Sequence, residues 1–235
     1  MNANQILREL KNLGNEGTRK TLLRHGAREP LFGVRIGDMQ KLRKAVGINH
    51  EVALELFESG NYDAMYFASL VADDERMTKA QLRKWAKQAY GASLSGSAVP
   101  SVAAGSPRGW DLALEWIDSK SESVAETGWN TISSLISVRS DEELDLPALR
   151  KLLARVKREI GKAPNHVRYA MNNYVIAAGS FVAPLFETAM KTAEAIGEVT
   201  IDHGATSCQT PFAPDYLKKV QSMNRVGRKR KSTKC

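Results

Sequence analysis

The side chains best suited to binding a polar ligand fall in one stretch, residues 163–179, which reads APNHVRYAMNNYVIAAG. Its apolar residues recur at helical spacing and predict one buried stripe: Val167, Ala170, Met171, Tyr174, Val175 and Ala178. Four polar residues lie outside that stripe: Asn165, Arg168, Asn172 and Asn173. Their amide and guanidinium groups can donate hydrogen bonds to phosphates and base edges. This polar face is therefore either an ordinary solvated surface or the lining of a nucleic-acid groove.

No other residue pattern predicts a metal, cofactor or nucleophile site. The histidines lie far apart in the sequence, at positions 25, 50, 166 and 203, without the spacing of metal ligands. The cysteines, Cys208 and Cys235, are too few for a disulfide framework or a cysteine-based metal site. The glycines fit no phosphate-binding loop, and the Gly-x-Ser-x-Gly motif of a nucleophilic serine does not occur. We therefore expect no metal and no cofactor.

The net charge of +8 is concentrated at the C-terminus. Residues 218–235 hold eight of the 34 Lys and Arg residues and no acid, which leaves 26 basic against 26 acidic residues in 1–217. Such a cluster predicts salt-sensitive binding to phosphates through counterion release. A solubilising arm, or an arm that binds an acidic protein, stays open as an alternative. The last residues, RVGRKRKSTKC, are too charged to pack and predict a flexible tail.

Helices must position these groups, because nearly the whole chain shows helical periodicity. The predicted helices pair into four hairpins: 49–59 with 62–72, 78–91 with about 94–104, 107–119 with 122–137, and 146–161 with 164–179. Repeated hairpins of this length are typical of stacked HEAT-like units. The sequence therefore predicts an all-α fold, an α-solenoid of HEAT-like helical hairpins, rather than a bundle of fewer and longer helices. Pro164 suits the first turn of the last helix, and Gly179 suits its end.

Three segments follow from this pattern. Residues 1–197 form the predicted solenoid domain, 198–224 a short irregular C-terminal extension, and 225–235 the basic flexible tail. The extension begins at 198–202 with either a short strand or an extended arm, and it ends with a predicted helix at about 214–223. The apolar runs are too short to span a membrane, and the N-terminus does not resemble a signal peptide. We expect a soluble cytoplasmic protein, with a monomer favoured.

Several of these motifs resemble the AlkD-like DNA alkylation repair family. The resemblance covers roughly residues 1–196 and rests on the segment FGVRIGDM at 32–39, the paired helices and the VRxAxN start of the 163–179 helix. It implies a HEAT-like solenoid whose concave face holds duplex DNA, and active members excise positively charged alkylpurines. Groove-facing positions would then include Arg35, Gly37 and Lys41 on an early helix, and Arg168, Asn172 and Asn173 on a late one. Electrostatic attraction to the phosphates would be added by the basic residues of the tail: Arg225, Arg228, Lys229, Arg230 and Lys231.

The residues that the resemblance implies for catalysis are missing. Active members use an Asp, an Arg and two Trp residues on the concave surface. The Trp-and-Asp motif falls at 94–99, where this chain reads LSGSAV. The Arg falls near Glu126, and the second Trp near Asn172 or Asn173. A carboxylate stabilises the oxocarbenium-like transition state of base excision, so we expect that chemistry to be weak or absent.

Three functional hypotheses stay open. The first is a DNA-binding member of the family without its usual catalytic residues, which binds double-stranded DNA; whether that DNA is alkylated stays open. The second is an alkylpurine DNA glycosylase in which Glu126 or Asp111 substitutes for the missing acid; Asp111 follows Trp110 and so restores a Trp-Asp pair. The third is a protein-binding scaffold, a frequent use of solenoids.

Overall fold

The protein is described by a computed structural model covering residues 1–234. Its α-helices, labelled in chain order, are α1 Ala3–Asn12, α2 Glu16–Arg24, α3 Ile36–Val46, α4 His50–Glu58, α5 Tyr62–Val71, α6 Lys79–Gln88, α7 Gly91–Ser93, α8 Val99–Gly105, α9 Gly109–Trp116, α10 Glu122–Ile136, α11 Leu146–Glu159, α12 Asn165–Phe181, α13 Phe186–Ile196 and α14 Ala213–Ser222. A π-helical turn at Leu94–Ala98 joins α7 to α8. Short 3₁₀ turns lie at Asp141–Glu143, Ile160–Lys162 and Ala183–Leu185.

The predicted all-α solenoid of HEAT-like hairpins is confirmed. Helix α4 packs on α5, α9 on α10, and α12 on both α11 and α13, so consecutive helices form antiparallel pairs. The second helices of successive pairs also pack on one another, with α10 between α8 and α12. Each of these inner helices packs on the first helix of its own hairpin and, at its sides, on the inner helices of the neighbouring repeats. Together they form a central layer.

Side-chain caps begin several helices where the sequence predicts them. The Asn49 side chain accepts a hydrogen bond from the backbone N–H of Val52, and Thr78 forms a capping box with Gln81. Each of these caps satisfies a backbone donor that has no partner inside its helix. Helix α5 is buried on all sides, in agreement with its nearly continuous apolar sequence.

One prediction about the elements is wrong, and the structure decides between the two alternatives for another. Gly179 does not end its helix, because α12 continues to Phe181. Gly179 is instead a point of close approach, where an added Cβ would lie 2.7 Å from Cδ2 of Leu217 on α14. Of the two alternatives for 198–202, the short strand is not formed, and residues 1–234 contain no β-strand. Among the same residues, no helix combines the length and apolar character that crossing a membrane requires.

The irregular extension and the basic tail both lie against the solenoid. The tail corrects our expectation that its charge prevents packing. Lys229 forms an ion pair with Asp141 at 2.8 Å, and Lys234 forms another with Asp74 at 2.8 Å. Its cations can pack because acidic side chains and helix carbonyls face them. The division of the chain into domains at 197 and 224 stays a prediction.

Candidate nucleic-acid interface

The inner helices line one long groove. Its first part is a cavity of about 870 Å³ between the 24–28 segment, the 91–96 segment and the N-terminal halves of α10 and α12. Its second part, of about 1060 Å³, lies between the C-terminal halves of α10 and α12, helix α14 and the tail. Asn130 and Asn173 line both parts, so the two parts are continuous.

The polar residues of α12 have two different roles. Asn165 exchanges hydrogen bonds of 2.8 and 2.7 Å with the backbone of Asp202, and Arg168 donates to the carbonyl of Thr200 at 3.0 Å. Asn172 is 0% exposed and donates to the carbonyl of Pro211 at 2.9 Å. These side chains therefore attach the C-terminal extension to the solenoid. Asn173 faces the groove instead.

This arrangement corrects the sequence prediction for two of the three late-helix residues. Arg168 and Asn172 were expected to contact DNA, but the extension covers Asn172 and occupies the guanidinium of Arg168, which also donates to the carbonyl of Ala163 at 3.1 Å. The helical pattern could not distinguish a groove face from a face that holds another segment. Both need donors outside the apolar stripe.

The early residues predicted for DNA contact are exposed but lie outside the groove. Arg35 precedes α3, Gly37 lies in its first turn, and Lys41 forms an ion pair with Asp38 at 2.9 Å. None of the three lines either part of the groove among residues 1–234.

Apart from Glu126, the groove lining contributed by α10 was missed in the sequence. The polar residues that face the groove are Glu122, Ser123, Glu126, Asn130, Ser133, Ser134 and Ser137. They recur every three or four positions on the second helix of a hairpin, which is the helix that faces inward in a HEAT-like repeat. That spacing was a usable signal.

The basic tail forms one wall of the groove, and we call residues 225–234 the C-terminal strap. The backbone N–H of Gly227 donates to Ser180 at the end of α12, and that of Arg230 donates to Ser137 at the end of α10. Lys229 reaches the carbonyl of Ile136 at 3.0 Å. The strap therefore crosses the C-terminal ends of the inner helices, where unpaired carbonyls carry partial negative charge that lysines neutralise.

The far end of the strap is the most buried. Lys234 has 7% of its side chain exposed, and its ammonium donates to the carbonyl of Ala72, just beyond α5, at 2.7 Å. Burial raises the pKa of the neighbouring Asp74 carboxyl to about 6, although the Lys234 charge opposes that rise. Burial likewise lowers the pKa of Lys234.

The remaining cations of the strap are available to a ligand. Arg225, Arg228, Arg230 and Lys231 are exposed and line the groove. Lys229 lines it as well, but its ammonium is held by Asp141 and Ile136. Among the described residues, no acidic side chain lines this part of the groove.

Of the two candidate acids, only Glu126 lies in the groove. Its side chain is buried, and its Oε2 lies 2.7 Å from the Ser95 hydroxyl. Burial raises the pKa of this carboxyl, an effect reinforced by Glu122 and opposed by Ser95 and His166. Asp111 does not line the groove, and it forms an exposed ion pair with Lys79 at 3.2 Å.

Comparisons with known proteins agree with this architecture. The sequence profile described as "DNA alkylation repair enzyme" matches residues 6–215. The chain is 33% identical over 228 residues to the uncharacterized protein Lin0241 of Listeria innocua, covering 94% of this chain and 97% of that protein. It is 31% identical to the uncharacterized protein Lmo0209 of Listeria monocytogenes over 225 residues, covering 93% of this chain and 96% of that one.

A solved structure is also similar over the whole chain. It belongs to a family of proteins related to the HEAT-like repeat DNA glycosylases with affinity for branched DNA structures. The two chains superpose with a TM-score of 0.93 and share 33% sequence identity, with 100% of each chain covered. With its inner helices, its groove and a sequence that matches over residues 6–215, the chain belongs to the DNA alkylation repair enzyme family.

Proposed function

We propose that the protein binds branched DNA in this groove and does not excise alkylated bases. The proposal rests on the positive charge of the groove beside the C-terminal strap. Six basic residues line that part: Lys219, Arg225, Arg228, Lys229, Arg230 and Lys231. Clustered cations without acids attract phosphates and release counterions on binding.

The opposite end of the groove adds further cations. Arg24, Arg28 and Lys87 lie there, with Glu122, Glu126 and Asp202 as the acids. Cations at both ends and amides between them suit a ligand with more than one phosphate backbone. The relative with affinity for branched DNA structures supports this choice of ligand.

The burial of Glu126 argues against excision. A carboxyl that stabilises an oxocarbenium-like transition state must carry its negative charge. Burial of Glu126 raises its pKa and favours the neutral acid. The family resemblance implies an acid in the 94–98 turn, where this chain reads LSGSA and has no acidic side chain, and Asp111 lies outside the groove.

A glycosylase that uses Glu126 is the second candidate, because this carboxyl does lie in the groove. The assay is release of methylated base from alkylated duplex DNA by the wild-type protein and by Glu126→Gln. We expect no release from either protein. Release that Glu126→Gln abolishes would establish the glycosylase instead.

The test of DNA binding compares a three-way junction with a linear duplex of equal length, by fluorescence anisotropy at several salt concentrations. We expect tighter binding to the junction. Replacing the four exposed cations of the strap by Ala should lower the slope of log affinity against log salt by about 0.9 for each lost phosphate contact. These are Arg225, Arg228, Arg230 and Lys231.

The matched control replaces four exposed lysines outside the groove by Ala: Lys44, Lys120, Lys157 and Lys191. It removes the same net charge and should leave the slope nearly unchanged. Equal slopes for the two quadruple variants would contradict the proposed interface. Absence of binding to any DNA would favour a protein partner, as for other solenoids.

A further inference from the structure

The carboxyl of Glu126 has one oxygen bound within the protein and one directed at the cavity. Ser95 Oγ lies 2.7 Å from Glu126 Oε2 and 2.9 Å from the carbonyl oxygen of Gly91. A hydroxyl carries a single proton and can donate to only one of these acceptors. When Oε2 carries a proton, it can donate that proton to Ser95 Oγ, and the Ser95 hydroxyl can donate to the carbonyl of Gly91. Both contacts are then hydrogen bonds. Burial raises the pKa of Glu126 and favours that state.

The other oxygen, Oε1, then acts as a neutral acceptor. Among residues 1–234 it accepts no hydrogen bond, and Gly96 lies beside it. A Cβ at position 96 would sit 3.5 Å from Oε1, so the glycine leaves this oxygen uncovered. Glu126, Ser95 and Gly96 all line the cavity of about 870 Å³. An uncharged acceptor does not repel a phosphate-bearing ligand.

Aromatic side chains form two sides of the same cavity. Tyr169 and His203 pack edge to face, with ring centroids 5.7 Å apart. On another side, the guanidinium of Arg28 lies 5.1 Å from the centre of the Tyr90 ring. Flat rings beside a polar acceptor are the combination with which proteins bind single bases, by stacking and by hydrogen bonds to the base edge.

We propose that this cavity binds one unpaired base of the DNA, between the aromatic side chains and Oε1 of Glu126. The proposal rests on the DNA-binding function above and adds a base subsite to it. A branch point supplies such a base, since strands that exchange partners can leave a nucleotide unstacked. Oε1 accepts from an N–H group on the edge of the unpaired base. Adenine, cytosine and guanine can donate from an exocyclic amino group and thymine from its ring N3–H, whereas 3-methylthymine has no N–H donor and does not fit.

The test uses three-way DNA junctions that differ only in one unpaired nucleotide at the branch: adenine, cytosine, 3-methylthymine or 2-aminopurine. Wild-type protein should bind the adenine and cytosine junctions about tenfold more tightly than the 3-methylthymine junction, as expected for one specific base contact. Fluorescence of the unpaired 2-aminopurine should change on saturation with protein, because the base enters an aromatic site.

Two substitutions at Glu126 separate base binding from catalysis. Glu126→Gln can donate to Ser95 and present the same carbonyl oxygen to the cavity, so it should keep the preference for adenine. Glu126→Leu removes the acceptor and should abolish that preference. Loss of the preference in both variants would contradict a neutral acceptor.

Tyr169→Leu tests stacking and should weaken binding of the adenine junction about tenfold. Phe212→Leu is its control, because Phe212 is an exposed aromatic residue that does not line the groove. Equal affinity for adenine and 3-methylthymine junctions, with unchanged 2-aminopurine fluorescence at saturation, would overturn the base subsite alone. Failure to bind any junction would overturn the proposed function as well.

Discussion

Removal of the Lys234 side chain should destabilise the protein, although the residue lies close to the C-terminus. Its ammonium is 2.7 Å from the carbonyl oxygen of Ala72 and 2.8 Å from Oδ1 of Asp74. In Lys234→Ala the carbonyl loses a charged donor, and Asp74 is left partly buried without its counter-ion. Breaking a fully buried ion pair costs about 3–5 kcal/mol. Here water can reach Asp74 once the strap end moves away, so we expect a loss of about 1–3 kcal/mol, close to that of one charged hydrogen bond.

Urea denaturation at pH 7.5 measures this loss. Lys231→Ala is the matched control, because Lys231 is an exposed strap lysine, and its free energy of unfolding should change by less than about 0.5 kcal/mol. The double variant Asp74→Asn with Lys234→Ala should be more stable than the sum of the single changes predicts, because the two groups contact each other. If Lys234→Ala unfolds at the same urea concentration as Lys231→Ala, the strap end does not contribute to stability in solution.

Three further predictions concern buried groups. Burial raises the pKa of Asp74 to about 6, above its unfolded value, so folding takes up a proton as the pH falls from 6 to 4. As the pH falls through that window, the free energy of unfolding of the wild type should rise, relative to that of Asp74→Asn, by about 1.4 kcal/mol per pH unit. Parallel pH profiles for the two proteins would refute this. Gly179→Ala places a Cβ 2.7 Å from Leu217 and should lower the stability by about 1–3 kcal/mol, measured by thermal denaturation. Gly161→Ala is the control and should be tolerated, because a Cβ there meets nothing within 4 Å. Asp63→Asn should cost about 2–3 kcal/mol in urea, because the fully buried carboxylate accepts three backbone N–H bonds of 2.6 to 3.0 Å, and an unchanged midpoint would contradict this.

Local signals in the sequence were sufficient for the fold. Helix caps such as Asn49 and Thr78 depend on residues three positions away, and the apolar periodicity of each helix depends on residues within a few turns. The hairpin repeat then follows from the order of the helices. These features require no information about distant parts of the chain.

The errors all concern contacts between distant residues. Asn172 is buried by Pro211, 39 positions away, and nothing in the helical pattern distinguishes that partner from a solvent molecule or a phosphate. Lys229 pairs with Asp141 across the solenoid, and charge composition alone predicted that such a lysine stays in water. Glu126 lies in the groove, but the rise in its pKa depends on burial, which the sequence does not reveal.

The strap also changes how the solenoid can unfold. In an ordinary solenoid each repeat contacts only its neighbours, so terminal repeats can fray while the middle stays folded. Here residue 234 is bonded to Ala72, a partner 162 positions earlier, and the strap contacts the ends of α12 and α10 on the way. The C-terminal strap therefore links the last repeat to the end of α5, and the repeats between these two points cannot open without releasing it. These repeats should unfold in one cooperative transition, as a globular domain does, rather than one at a time.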